Sequence, residues 1–496
     1  MKIRYIKLLP VLITAIMLNA CLTLQVNPVS GNKRAYGYSW EEEIEIGRQA
    51  DKEIVAQYGV YEDEALSDYV SELGQLLLED SHLRREGVAE KFQNTEFTFR
   101  VLNSPVVNAF ALPGGYVYVT RGLLAHLNNE AQLAVVLGHE IGHVAARHAS
   151  QRAATQQIGQ LAIIGGALLG ESIGLDGGNI LQLSSQTAQL LFLQYSRDNE
   201  RESDRLGVEY SAMNKYEAAE GAKFFESLKR ISERQGGGIP SHLSTHPDPG
   251  EREATIPELA ESWKEKGYEQ TILDQDEFMA MLDDIIYDQN PREGFERDGV
   301  FYHPELEFKF PVPDGFNVIN QTSAVILINE DQDAVTQFTI DSENNTPKAS
   351  VQSFVGQEGI TVIEQGDINR TGYNAYEAEA TAETQDGTTV QLIMTALKYN
   401  DRIYQFLSYT NQQQFSQYEN DFMSISSGFD RLTDVSVLTI EPVRLQLVEA
   451  SSTAPFNQLL PSTLPMDITA EDLAIINQVG LNENIVAGTV LKLPVQ

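Results

Sequence analysis

The chain has 496 residues, 71 Asp+Glu against 35 Lys+Arg for a formal net charge of −36, 42% hydrophobic residues and a single cysteine. That length holds roughly two to four domains, and that apolar fraction excludes an extended, disordered acidic chain. The charge argues against nucleic acid as a partner, because phosphate binding needs a basic face, and one cysteine allows neither an internal disulfide nor a thiolate metal cluster.

At the N-terminus, Lys2, Arg4 and Lys7 precede the run Leu8–Leu18, apolar except for Pro10 and Thr14, and then Leu18-Asn-Ala-Cys21. A cationic start, a short apolar stretch and small residues before a break describe an export signal, and the run falls short of the ~20 residues of a membrane span. The tetrapeptide resembles a bacterial lipoprotein signal. That resemblance implies cleavage after residue 20, acylation of Cys21 and, with Leu22 rather than Asp following, anchoring to the outer membrane on the periplasmic side of a Gram-negative cell. Residues 1–20 are then a signal peptide and 21–37 a tether; the alternative is an ordinary signal with an incidental cysteine.

Residues 128–150, NNEAQLAVVLGHEIGHVAARHAS, keep helical spacing at Leu133, Val136, Leu137, Ile141 and Val144, with Asn128 or Asn129 and Glu130 as a start signal. His139 and His143, at i and i+4, project from one helix face and can grip one ion, and Glu140 can reach a water on that ion. A catalytic zinc takes three protein ligands and leaves one position for water, so a third ligand is required. On a continuous helix His148 lies about 180° away from His139 and reads as structural. Further on, Leu161–Gly170 is an apolar and glycine run too short to cross a bilayer; it reads as a core helix, with a glycine-hinged flap over the site as the alternative. Next, YSRDNERESDRLG (195–207) is helix-compatible and sets Glu200 and Asp204 at i and i+4 on one face.

Together, HEIGHVAARH, NAFALPGG (108–115) and the 195–207 segment resemble the metallopeptidase family that contains HtpX, BepA, mitochondrial Oma and the prenyl-protein endoprotease. The resemblance covers about residues 38–265. It implies a mainly helical zincin domain with one Zn2+, Glu200 rather than Glu202 as the third ligand beside His139 and His143, Glu140 as the catalytic base, and Asp204 supporting a zinc-bound histidine. Ser39-Trp-Glu-Glu-Glu43 and Thr95–Asn103 fit the family's opening helix and small sheet, and an edge strand near the zinc would let a substrate peptide add as a further strand. The loop 235–252, QGGGIPSHLSTHPDPGER, matches a family motif that makes His246 a candidate fourth ligand or switch and Arg252 a bridge to an acid near the site. A His-Pro turn with structural duty only is the alternative.

Residues 266–296 read as an acidic helical linker. Beyond them, Leu306–Val312, Ala324–Ile328, Ala334–Ile340, Thr389–Leu397 and Ile403–Tyr409 read as strands, with helices near 346–356 and 411–427. Residues 297–435 thus form an α+β accessory domain that resembles the PsbP/Mog-like fold. Residues 436–496, with EDLAIINQVG and IVAGTVLKLP, resemble a LysM-like module, which implies peptidoglycan contact; a plain interaction module is the alternative. The expected whole is an α+β protein. It is a lipid-anchored periplasmic zinc endopeptidase acting on misfolded or misassembled envelope polypeptides, or else an envelope scaffold with a structural or capped zinc site.

Overall fold

The computed structural model of the chain describes residues 23–155, 195–234, 246, 249–369, 372–383, 388–465 and 468–495. It begins on an antiparallel hairpin, β1 (Thr23–Val26) with β2 (Lys33–Tyr36). Helix α1 (Trp40–Tyr58) starts at Ser39, whose hydroxyl accepts from Glu42 N while the Glu42 carboxylate accepts from Ser39 N, a reciprocal cap. Helix α2 (Glu64–Glu79) leads to the three-stranded sheet of β3 (Thr98–Leu102), β4 (Ala109–Leu112) and β5 (Tyr116–Thr120). The order is β3-β5-β4, with β5 parallel to β3 and antiparallel to β4, so β4 is an edge. Gly114 and Gly115 turn between β4 and β5 at φ of +80° and +102°. A Cβ on Gly114 would stand 2.4 Å from Ile44 Cα, so this turn is pressed onto α1 and admits only glycine.

Helix α3 (Arg121–His126) is followed by α4 (Glu130–Ala146), α5 (Arg197–Met213), α6 (Gly221–Arg234) and α7 (Pro249–Glu265). Every residue of α4 is buried. It is the central rod of the domain, packed by α2, α5, α6 and β4 at once. The apolar run 161–170 lies outside the described residues. Gly250-Glu-Arg252, expected in a loop, opens α7 instead, with Pro249 at the first helical position, where a missing N–H costs nothing.

Two expected connectors are structural parts. Within the expected tether 21–37, residues 23–36 are a hairpin clamped to the end of α4: Asn27 Nδ2 donates to Ala146 O at 2.9 Å and Gly37 N to Ser150 O at 2.9 Å. Within the expected helical linker 266–296, the described helical turns are α8 (Gln275–Met281) and a 3-10 turn at Pro291–Glu293. Phe278, Leu282 and Ile285 there belong to the domain core.

The accessory region carries a seven-stranded antiparallel sheet of β9 (Phe316–Asn320), β10 (Ala324–Asn329), β11 (Ala334–Asp341), β12 (Ile360–Ile368), β13 (Asn374–Glu383), β14 (Thr389–Tyr399) and β15 (Arg402–Asn411), ordered β12-β13-β14-β15-β11-β10-β9. Two helices, α9 (Pro347–Val355) and α10 (Phe415–Ser427), and a small sheet of β6 (Phe295–Arg297), β7 (Val300–His303), β8 (Phe308–Pro311) and β16 (Asp430–Arg431) complete it. Its own core is aromatic, with Phe301, Phe308, Phe310, Phe338, Tyr404 and Phe406 buried together. The C-terminal residues form β17 (Arg444–Glu449) paired with β18 (Val490–Val495), with α11 (Ala470–Ile476) between. This segment shares the core built around α4 through Leu445, Phe456, Leu473, Ile476 and Leu493. Lys492 anchors it by donating to Ala125 O at 2.6 Å and Leu127 O at 2.7 Å. No helix of the described residues is long and apolar enough to cross a membrane.

Candidate metal centre

Helix α4 is fixed at both ends. Asn129 caps its start by accepting from Gln132 N, and Glu130 lies in the first turn, where a negative charge opposes the helix dipole favourably. Arg147 ends it in the left-handed conformation, at φ 60°, ψ 42°. Its buried guanidinium donates to Glu43 at 2.8 Å through Nε and stacks 3.8 Å over the Tyr36 ring. Glycines at the α4–α5 crossing let the two backbones touch: a Cβ on Gly207 would sit 2.9 Å from His139 N. Close approach of the helices carries Glu200 and Asp204 of α5 to the histidines of α4.

The donor atoms of His139, His143, Glu200 and His246 all lie within 4.8 Å of one another, and all four residues are buried. His139 Nε2 and His143 Nε2 are 2.9 Å apart, and His246 Nδ1 is 3.3 Å from His139 Nε2. Glu200 stands 3.6 Å from His139, 3.4 Å from His143 and 3.1 Å from His246 Nδ1. A tetrahedron with bonds of about 2.0–2.1 Å has edges of about 3.3–3.4 Å; the five separations above, 2.9–3.6 Å, lie around that value and no two donors stand more than 4.8 Å apart, which leaves room for one zinc among N and O ligands.

The surroundings suit that ion. Asp204 Oδ1 faces His139 Nδ1 at 2.8 Å, and Arg252 bridges the acids, donating through Nε to Asp204 at 2.9 Å and through Nη2 to Glu200. Burial alone would raise the Glu200 carboxyl, but His246, Arg252 and His139 outweigh it and hold it at about 2. Burial, reinforced by His139, His148 and His246, pushes His143 well below the usual imidazole range, towards the neutral form that ligates metals. Glu140 is buried, with neither carboxylate oxygen hydrogen-bonded among the described residues; its nearest ring nitrogen is His246 Nε2 at 3.7 Å. Burial raises its pKa, as a proton-accepting role near neutral pH requires.

The structure thus brings His139, Glu140, His143, Glu200, Asp204, His246 and Arg252 to one point. Cys21 lies outside the described residues. His148 is not among the converging donors, but the argument from a continuous helix fails: α4 stops at Ala146, and the turn at Arg147 brings His148 Nδ1 back to 3.0 Å from His143 Nδ1. Sequence reasoning missed Tyr195, whose ring stacks on His143 at 4.0 Å between centroids. It also missed the roles of Glu43 and Arg147, for which the only local signal was the acidic run at Glu41–Glu43 and an arginine just after the histidine pair.

Two histidines one helical turn apart with an adjacent glutamate, completed by a glutamate on the next helix, match the residue pattern of a zincin metal centre. Residues 80–260 match the model of Peptidase family M48. Among named relatives, the chain is 28% identical over 229 residues to the beta-barrel assembly-enhancing protease of Yersinia pestis, covering 45% of each chain. It is 29% identical over 237 residues to the mitochondrial metalloendopeptidase OMA1 of Schizosaccharomyces pombe, covering 47% of this chain and 66% of that one. It is also 33% identical over 159 residues to the mitochondrial metalloendopeptidase OMA1 of Bos taurus, covering 31% and 30%. The chain therefore spans less than two thirds of these relatives' own lengths. Among solved structures, cyanobacterial PsbP from Synechocystis aligns over 27% of this chain and 91% of its own, at 13% identity and a TM-score of 0.23. The yeast Ran-binding protein Mog1p aligns over 30% and 98%, at 10% identity and a TM-score of 0.21.

Proposed function

We propose that this protein is a zinc-dependent endopeptidase of the bacterial envelope that hydrolyses peptide bonds of misfolded or misassembled envelope proteins. The observation that carries the chemistry is the convergence of the donor atoms of His139, His143, Glu200 and His246 within 4.8 Å of one another, beside a buried Glu140 whose carboxylate makes no hydrogen bond among the described residues. A zinc ion held by His139, His143 and Glu200 would supply Lewis acidity to the attacking water and to the scissile carbonyl. Glu140 accepts the proton of the attacking water and returns it to the leaving amine. Asp204 holds His139 in the tautomer that leaves Nε2 free for the metal. Arg252 neutralises Glu200 and Asp204 and keeps them ordered. The edge strand β4, packed on α4, offers unpaired backbone groups to an extended substrate, giving affinity with little sequence preference.

His246 gives this reading a regulatory side. On this reading its Nδ1, which lies among the donors, would take the fourth place, with its Nε2 turned towards Glu140, and the site would be closed, a protein ligand standing where water would act. This also favours a second reading, an envelope scaffold whose zinc site is permanently capped. The envelope setting is supported by the export signal ending at Cys21 and by relatives named for beta-barrel assembly. The C-terminal segment is offered as a peptidoglycan contact. Zinc content together with casein cleavage, before and after chelation, tests the proposal. Zinc near one per chain, with cleavage lost on chelation and restored by zinc, is the expected result. A zinc-loaded protein inert towards unfolded substrates, and still inert without His246, would favour the scaffold.

A further inference from the structure

Each zinc-facing histidine needs its far nitrogen held if its ring is to stay aimed at the ion. For His139 that partner is Asp204. For His143 the neighbour is another histidine: His143 Nδ1 lies 3.0 Å from His148 Nδ1. His148 is fully buried, and its Nε2 lies 3.1 Å from Glu202 Oε2. Glu202 is in turn gripped by Arg34 of β2, Nη1 to Oε2 at 2.9 Å and Nη2 to Oε1 at 3.2 Å.

Proton bookkeeping allows one arrangement of this row. Glu202 takes the two terminal guanidinium nitrogens of Arg34, one on each oxygen, and so stands as a carboxylate. A carboxylate only accepts, so His148 Nε2 carries the hydrogen and its Nδ1 keeps a lone pair. His143 Nδ1 must then be the donor, which leaves His143 Nε2 with its lone pair directed into the donor cluster. Ser203 Oγ, 3.3 Å from His148 Nδ1, can donate to the same lone pair and fixes the ring further.

We propose that His148, Glu202 and Arg34 form a positioning relay that fixes the tautomer and aim of His143, and that the N-terminal hairpin is through Arg34 a working part of the metal centre. The proposal rests on the metal-site reading above. None of the three residues reaches the cluster itself; they act through His143. The relay also explains why α4 ends where it does, since the left-handed Arg147 is what turns His148 back onto His143.

The test measures zinc dissociation constants by competition with a chromophoric chelator, and visible spectra of the cobalt-substituted protein, for full-length wild type, His148→Ala, His148→Asn, Glu202→Gln and Arg34→Gln. Loss of such outer partners typically weakens metal binding about tenfold to a hundredfold. His148→Ala is expected to fall in that range and to shift the cobalt bands. His148→Asn, whose amide oxygen can accept from His143 Nδ1, should recover part of the loss. Glu202→Gln and Arg34→Gln should weaken zinc in the same direction by less, and adding Glu202→Gln to His148→Ala should cost nothing more. Wild-type zinc affinity and unchanged cobalt spectra in folded His148→Ala would overturn the relay, as would equal losses in the Ala and Asn variants. Should His148→Ala not fold, the partly exposed Arg34→Gln decides alone, and an unchanged affinity there overturns the proposal. A wild-type protein that takes up no zinc would overturn the metal-site reading, and the relay with it.

Discussion

Gly207→Ala places one methyl group where α5 crosses α4. The added carbon would stand 2.9 Å from both His139 N and Val135 O and 3.2 Å from His139 Cα, all backbone atoms with no rotamer to yield. Ordinary contact begins near 3.4 Å, so the helices must part by about 0.5 Å, and overpacking of this kind costs about 1–3 kcal/mol. Alanine's better helix propensity returns at most about 1 kcal/mol. The atoms pushed are those of a zinc-facing histidine, and Glu200 rides on the displaced helix. Metal sites tolerate only about 0.2 Å, so strain is relieved most readily by loosening ligation, and each 1.4 kcal/mol released this way weakens zinc about tenfold. Gly142→Ala is the internal control: its Cβ would meet Leu206 Cβ at 3.1 Å, Leu206 Cδ1 at 3.3 Å and Ser203 Cα at 3.4 Å, an overlap of at most about 0.3 Å that touches no atom of a zinc-facing residue, so stability should stay within about 1 kcal/mol of wild type. Urea denaturation with and without chelator, alongside zinc competition, reads both effects. Gly207→Ala with wild-type stability and zinc affinity would refute the crossing geometry and the account of how Glu200 reaches the histidines.

Removing the imidazole in His246→Ala should raise basal casein cleavage several-fold while zinc stays bound; unchanged cleavage would remove the capping role. Arg252→Gln strips the buried acids Glu200 and Asp204 of their counter-charge and should cost about 3–5 kcal/mol in metal-free protein, read by urea denaturation in chelator, with a loss under 1 kcal/mol contradicting it. His126, buried against Gly122 O, is lowered to about 4, chiefly by burial. Below about pH 6.5 the unfolded chain takes up a proton that the folded chain refuses, so stability is full above that pH and falls by up to about 1.4 kcal/mol per unit towards pH 4. The stability difference between wild type and His126→Leu should therefore be flat above pH 6.5 and slope below it; a flat difference down to pH 4 would contradict the buried neutral ring.

What was legible in the sequence was what local spacing dictates. His139 and His143 share a face because a helix repeats every 3.6 residues, and Glu200 and Asp204 share one for the same reason. The apolar strands β10, β11, β14 and β15 stood out by their β-branched and aromatic content. β13 did not, because NAYEAEATAE alternates alanine with glutamate and carries no strong strand former except Tyr376 and Thr381. The fold-back of His148 was hidden because it depends on one backbone angle pair at Arg147, held by Glu43 about a hundred residues earlier in the chain. The hairpin at 23–36 was read as tether because Gln25, Asn27 and Arg34 look like solvated polar residues. Their partners, Arg147, Ala146 O and Glu202, are far away in sequence. The C-terminal segment reads as a separate module because its apolar residues give no sign of which core they enter, and the structure seats them in the core built around α4.

The proposed zinc-dependent hydrolysis turns on Glu140 as its proton acceptor. Casein cleavage and zinc content of wild type and Glu140→Gln, measured side by side, test that role. Equal zinc in both proteins is expected, with a cleavage rate at least about 10²–10⁴-fold lower in the variant, the range a general base contributes. A Glu140→Gln protein that binds zinc and still cleaves at the wild-type rate would contradict it.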